Sequence, residues 1–306
     1  MMQAGAGFDD GSPGDGFSFE YYMFDWDDNI LHMPTRIYLE KKTDDGWIDH
    51  PVSTAVFAGI RQDTLNYRPI NEDWDDAFIE FYDHGQRGDR AFVEDTITAL
   101  GPIIDGMEKG GPSITRFCQA LMEGRLFAII TARAHSVQSI REGVEYFIAE
   151  VLTESQRERM VESLRSFKDL FEQAHQHLSD EELVARYLDL NKYHGVTSPE
   201  FERLMGRKLD GAESPAIAKK LAIRDFVEHA VQQVKDLGFD VPISIGFSDD
   251  DQHNIKTVED FLARELGREF PDVRFVIYDT SDRTIPGGKK IVVRGQLDLG
   301  LDGEGI

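Results

Sequence analysis

Apolar positions along this chain fall into two alternating textures, short unbroken runs and longer stretches with helical spacing. The first run lies in SFEYYMFDWDDN, beginning at Ser18. It is rich in aromatics and stops at carboxylates, as a buried strand does at a sheet edge. Residues 37–57 carry IYLEKK, Asp45-Gly46 and WIDHPV, which predicts a β-hairpin turning at Asp-Gly. Helical spacing follows over 72–82 (Trp74, Phe78, Phe81) and 90–100 (Phe92, Val93, Ile97, Leu100). Beyond Gly110-Gly111-Pro112, Ser113 is placed to cap a helix with Ile114, Phe117, Cys118 and Leu121 on one face and Gly124 at its end. LFAII (126–130) reads as a buried strand ending at Thr131. The next helix has Val137, Ile140, Val144, Phe147, Ile148 and Val151 in one stripe. Helical pattern continues through 154–190 on Met160, Leu164, Phe167, Phe171, Ala174 and Leu178, and residues 193–198 are the candidate third strand. Ser214-Pro215 opens a long helix as cap and first residue, with Ile223, Phe226, Val227, Ala230, Val231 and Val234 inward and Gly238 as its stop. VPISIGFS (241–248), a helix over 252–266 and RFVIYDT (274–280) complete the alternation. The expected fold is α/β, with a doubly wound, mostly parallel sheet.

Composition narrows the setting. With 306 residues, 41% hydrophobic and 29% charged, the chain is globular. At about 100–200 residues per domain, its length suits one large domain or a core with an insert. Residues 1–16, rich in Gly and Asp, are expected to form a flexible tail. The acids between Asp9 and Glu20 are spaced like a calcium loop, but Gly11 and Pro13 offer no side-chain oxygen at its third and fifth positions, which excludes that reading. No apolar run approaches the ~20 residues of a membrane span, and the N-terminus lacks the basic-then-apolar order of a secretory signal. The lone Cys118 cannot form an internal disulfide, which fits a reducing compartment; the expected location is cytoplasmic. Thirty-three Lys and Arg against 57 Asp and Glu give a net charge of −24. That balance argues against gripping nucleic acid over a broad face, while leaving room for a local cationic pocket.

Chemistry gathers where the strands end. In an open α/β sheet the ligand crevice lies beyond the carboxyl ends of the strands. Three predicted strands end in reactive groups: Asp25, Asp27 and Asp28; Thr131; and Asp249, Asp250 and Asp251. Carboxylates gathered at one edge repel unless a hard cation neutralises them, and an all-oxygen set suits Mg²⁺. Asp25 and Asp27, two apart in extended chain, share a side, so one can attack while the other handles the proton.

YYMFDWDDN, FAIIT, the SPAIAKK helix and ISIGFSDDD, in that order, resemble the haloacid dehalogenase superfamily of aspartate-nucleophile phosphohydrolases. The resemblance spans most of residues 18–280 and implies a Mg²⁺-dependent phosphatase acting on a small phosphorylated substrate. It implies Asp25 as nucleophile and Asp27 as general acid and then base, with the Asp27 backbone carbonyl on the metal. It implies Thr131 on the phosphoryl group, Asp249 completing the metal site and Asp250 assisting. The phosphate lysine is Lys219 or Lys220; both fall near the apolar stripe of their helix and their angles do not separate them. The triple Asp leaves the register of the metal acids open by one residue. Asn29 stands where the family has Thr or Val. In domain terms, 17–30 and 111–306 form the core, 152–190 a helical accessory segment, and 31–110 an inserted cap.

Relatives and rivals are distinguished by particular residues. Asp27 disfavours a dehalogenase, which needs no second acid, and Trp26 replaces the Lys that follows the nucleophile in ion-pumping relatives. A metal-dependent nuclease would also cluster Asp residues, and the net charge speaks against it. The alternative from another class is a catalytically silent relative that binds a phosphorylated ligand or a protein partner. Thr131 has a second reading as a helix cap, and Arg133 reads as a solvated arginine rather than a substrate clamp. Trp47 and Trp74 read as packing residues, with a place in a substrate pocket as the alternative. His175 and His177 point to different helix faces and read as surface residues. Gly287-Gly288-Lys289-Lys290 lacks the setting of a nucleotide loop. Substrate identity and oligomeric state are not legible.

Overall fold

The computed structural model describes residues 19–83, 88–166, 178–206, 215–238 and 241–293; the expected tail, Phe167, Phe171, Ala174, His175, His177 and Ser214 lie outside them. Strand β1 (Phe19–Phe24) is followed by β2 (Ile37–Thr43), β3 (Gly46–Val52) and β4 (Tyr67–Pro69), then by β5 (Phe127–Thr131), β6 (Lys192–Gly195), β7 (Ile243–Asp249), β8 (Val273–Asp279) and β9 (Lys289–Val293). The helices are α1 (Thr54–Ile60), α2 (Trp74–Ala77), α3 (Ala91–Ile104), α4 (Ile114–Met122), α5 (Val137–Val151), α6 (Glu154–Ser166), α7 (Asp180–Leu190), α8 (Pro199–Met205), α9 (Pro215–Asp236) and α10 (Gln252–Phe261).

The main sheet runs β6-β5-β1-β7-β8-β9, parallel throughout except for β9, which is antiparallel to β8. Counted by its own strands in chain order, this is 3-2-1-4-5-6, a Rossmann-like order. Its crevice opens where the order reverses, between β1 and β7. Both faces of the sheet are covered. On one, Tyr21, Met23, Ile245 and Phe247 pack against Ile223, Phe226 and Val227 of α9 and Ile255 and Val258 of α10. On the other, Phe24, Trp26, Phe127 and Ile129 meet Phe117 of α4, Phe147 of α5 and Tyr187 of α7. Burial on both faces explains why β5, with all its residues buried, reads as an unbroken apolar run.

The segment between β1 and α4 divides in two. The antiparallel sheet β3-β2-β4 closes over a small cluster of Ile37, Leu39, Val52 and Phe81. Helix α3 instead packs into the main core through Phe92, Ala99 and Leu100. Its approach to α5 is so close that a Cβ on Gly143 would lie 2.5 Å from the Phe92 ring. Within residues 31–110, expected as an inserted cap, α3 thus joins the main core and the small sheet has a cluster of its own.

Local differences from the sequence pattern have local causes. Residues 72–82 do not form one helix: Asp73 caps the short α2 by accepting from the Asp75 amide, and a 3₁₀ turn over Ile79–Phe81 follows. That break turns Phe81 into the small cluster. The third strand ends at Gly195, and Ser198 instead caps α8, accepting from the Phe201 amide at 3.0 Å. Ser113 precedes α4 without capping it. The 252–266 helix is α-helical only to Phe261, then widens into a π-turn over Leu262–Leu266. Among the described residues, no helix is long and apolar enough to cross a membrane.

Candidate functional site

The crevice predicted by the strand order is lined with carboxylates. The Asp25 amide donates to the Ser248 carbonyl at 2.9 Å, extending the pairing of β1 with β7 one residue past the strand. This sets Asp25 beside Asp249, and both are buried. From the buried side of α9, Lys219 Nζ donates to Asp25 Oδ1 at 2.8 Å and Asp249 Oδ2 at 2.6 Å. One carboxylate oxygen each from Asp25, Asp249 and Asp250 lies within 4.8 Å of the others.

A single ammonium serves this crowded set, and the acids respond. Burial pushes the Asp25 carboxyl well above the usual carboxylate range, opposed by Lys219 and reinforced by Asp249, Asp250 and Asp27. Asp250 is pushed up to about 8, by burial first and then by Asp249 and Asp28. For Lys219, burial works against the charge, but Asp249 and Asp25 outweigh it and hold the ammonium protonated. An oxygen-only cluster of three carboxylates could hold a hard metal cation.

The structure separates alternatives that spacing left open. Lys220, one helical step from Lys219, lies over the Phe261 ring with Nζ 5.6 Å from its centroid, so it does not join the acid cluster. Asp251 turns away to cap α10, accepting from the His253 amide at 2.8 Å, and pairs with Arg61 at 2.9 Å. Asp249 and Asp250 are thus the acids that face Asp25. Asn254, which the sequence reading passed over, donates to Asp249 at 3.2 Å.

Asp27 has partners of its own. Its carboxylate turns toward β5, accepting from Thr131 Oγ1 at 3.2 Å, Arg133 Nε at 2.8 Å and Arg133 Nη2 at 2.6 Å. Its side chain therefore stands outside the group of Asp25, Asp249 and Asp250, and the metal contact expected of Asp27 is through its backbone carbonyl. Thr131 does not cap α5; Ser136 does, accepting from the Ser139 amide at 3.2 Å. Arg133, expected in solvent, is fully buried between the rings of Phe81 (4.8 Å) and Phe92 (5.7 Å). It also bonds Thr35 Oγ1 and lies 3.7 Å from Asp95. The signal available was its place two residues past Thr131; its other partners come from distant parts of the chain. Arg133→Lys keeps the charge but loses the two-pronged donor. It is expected to lower stability by about 1–3 kcal/mol in chemical denaturation, with turnover falling alongside.

The remaining acids tie the small layer to the crevice. Asp28, at φ 57°, accepts from His32 Nδ1 at 2.9 Å and from Thr54 Oγ1 at the start of α1. With Arg61 on Asp251, both ends of α1 are held by acids that directly follow the crevice residues. Trp47 lies 4.4 Å from the Arg68 guanidinium, and Trp74 packs on Phe57 and Phe78, so both have packing contacts within the small layer. Gly287 and Gly288 form a left-handed turn into β9.

No protein-family model, curated protein or solved structure matches this chain.

Proposed function

We propose that the chain is a Mg²⁺-dependent phosphatase of the haloacid dehalogenase type, hydrolysing a small phosphomonoester through an aspartyl-phosphate. The observation that carries this reading is Lys219 bridging Asp25 and Asp249 at the reversal point of the sheet, with Asp250 beside them. The reading includes a Rossmann-like core of that superfamily and a cap formed by the small sheet and α1.

Asp25 attacks phosphorus, forming a new O–P bond as the ester P–O bond breaks. Asp27 gives a proton to the leaving oxygen. Water then attacks the phosphorus of the aspartyl-phosphate while Asp27 takes its proton, releasing inorganic phosphate and restoring Asp25. Acid–base help of this kind contributes about 10²–10⁴-fold. Lys219 offsets repulsion between Asp25 and the incoming phosphate, and Thr131 is within reach to steady a phosphoryl oxygen. Asp25, Asp249, Asp250 and the Asp27 carbonyl would hold Mg²⁺, which supplies charge neutralisation at the phosphoryl oxygens. Pinned at both ends beside these acids, α1 limits water access while the acyl-phosphate exists.

One observation favours a second reading, binding of a phosphorylated ligand or protein partner without turnover. Three N–H contacts from Arg133 commit Asp27 to β5. An aryl-phosphate assay separates the two. Turnover that disappears with EDTA and returns with Mg²⁺ is expected of the phosphatase. Binding of phosphorylated compounds with no phosphate release across a broad phosphoester panel would establish the second reading instead.

A further inference from the structure

Asn29 departs from the family pattern, and its surroundings account for the departure. The side chain is fully buried and every hydrogen-bonding position on it is filled. Its Nδ2 donates to the Asp25 carbonyl at 3.0 Å and the Ser248 carbonyl at 3.1 Å. Those two carbonyls lie just past the end of β1 and near the end of β7, and the Ser248 carbonyl also accepts from the Asp25 amide at 2.9 Å, so Asn29 adds a second tie at the same junction. Its Oδ1 accepts from Ser248 Oγ at 3.3 Å and lies 2.8 Å from Thr280 Oγ1, which is also 2.8 Å from the Asp249 carbonyl. Ser113 extends the chain: its Oγ is 2.6 Å from Ser248 Oγ, and its amide donates to the Asn29 carbonyl at 2.8 Å. This second role explains why Ser113 is not a helix cap.

From this geometry we infer that Asn29 is a positioning residue that fixes the separation of Asp25 and Asp249, acting with Ser248, Thr280 and Ser113 as one unit. The inference rests on the proposed metal-dependent reading of the crevice. A threonine has a single donor and a valine has none, so neither can hold the Asp25 and Ser248 carbonyls together. The amide spans both strands. Two hydroxyls, Ser248 in β7 and Thr280 just past β8, take up its remaining capacity, and Ser113 backs Ser248. Asn29 has no role in the chemistry itself; it sets the bite of the two acids that do.

The test is Mn²⁺ binding to the full chain, followed by paramagnetic resonance, in wild type, Asn29→Ala, Ser248→Ala and Thr280→Val. Disturbing groups that orient metal ligands typically costs about 10- to 100-fold in affinity. Asn29→Ala is expected to weaken Mn²⁺ binding by that amount. At saturating metal, kcat is expected to fall more than KM rises, since substrate contacts remain. Ser248→Ala and Thr280→Val are expected to shift Mn²⁺ affinity the same way by less, and they decide the matter if Asn29→Ala fails to fold. Wild-type Mn²⁺ affinity in all folded variants would overturn the positioning role while leaving the phosphatase reading intact. A wild-type chain that takes up no Mn²⁺ would overturn both.

Discussion

Lys219→Met is expected to lower the stability of the metal-free chain by about 3–5 kcal/mol and to abolish turnover. The size follows from what is left behind. Lys219 is buried and its ammonium bonds two buried carboxylates, so truncation strands both without a counter-charge. Breaking a buried pair by removing one partner costs about that much, because the surviving charge keeps its desolvation penalty. Methionine retains the volume and packing of the stem, so the loss reports charge and not a cavity. A divalent cation at the same acids should recover part of the stability. Saturation at 100 times the dissociation constant contributes about 2.7 kcal/mol. Urea denaturation with and without Mg²⁺ checks both halves. A variant as stable as wild type in EDTA would show that the acids do not depend on the ammonium.

Asp25→Asn is expected to reduce turnover to below about one part in 10⁴ of wild type, as loss of a nucleophile does, while leaving stability near that of wild type. The two halves together are diagnostic. Burial already pushes the Asp25 carboxyl upward against Lys219, and its neighbours Asp249 and Asp250 add repulsion. A neutral amide of the same shape relieves that repulsion, and Lys219 keeps Asp249 as its partner. A residue dispensable to the fold but not to turnover behaves as part of the reaction. Steady-state assays on an aryl phosphate, paired with thermal melts, measure it. Residual activity within tenfold of wild type would remove Asp25 from the role of nucleophile.

What the sequence made legible was the edge, because β1, β5 and β7 are largely apolar runs that stop at a chemical group. Phe24 before Asp25, Ile130 before Thr131 and Ser248 before Asp249 mark such stops, and parallel pairing brings them to one end of the sheet. Contacts that depend on a side chain's final turn were not legible. Lys219 and Lys220 differ by a single helical step, and only the packing of α9 sends one to the acids and the other over Phe261. Arg133 looked like a solvated arginine because Asp27, Thr35 and Asp95, which surround it, lie about a hundred residues or fewer upstream and carry no common pattern. Asn29 read only as a departure from the family pattern because its partners Ser248 and Thr280 are 219 and 251 residues away. The break between α2 and the 3₁₀ turn was hidden by Trp74, Phe78 and Phe81, whose spacing suits one helix although only Phe81 of the three is buried.

The central claim is that Asp25 becomes covalently phosphorylated at the carboxylate crevice. Rapid quenching of the chain during turnover, followed by borohydride reduction, converts an acyl-phosphate on aspartate to homoserine, which peptide mass spectrometry locates. The account predicts homoserine at position 25, present with substrate and Mg²⁺ and absent with EDTA. Turnover with an unmodified Asp25, or homoserine at another aspartate, would contradict it.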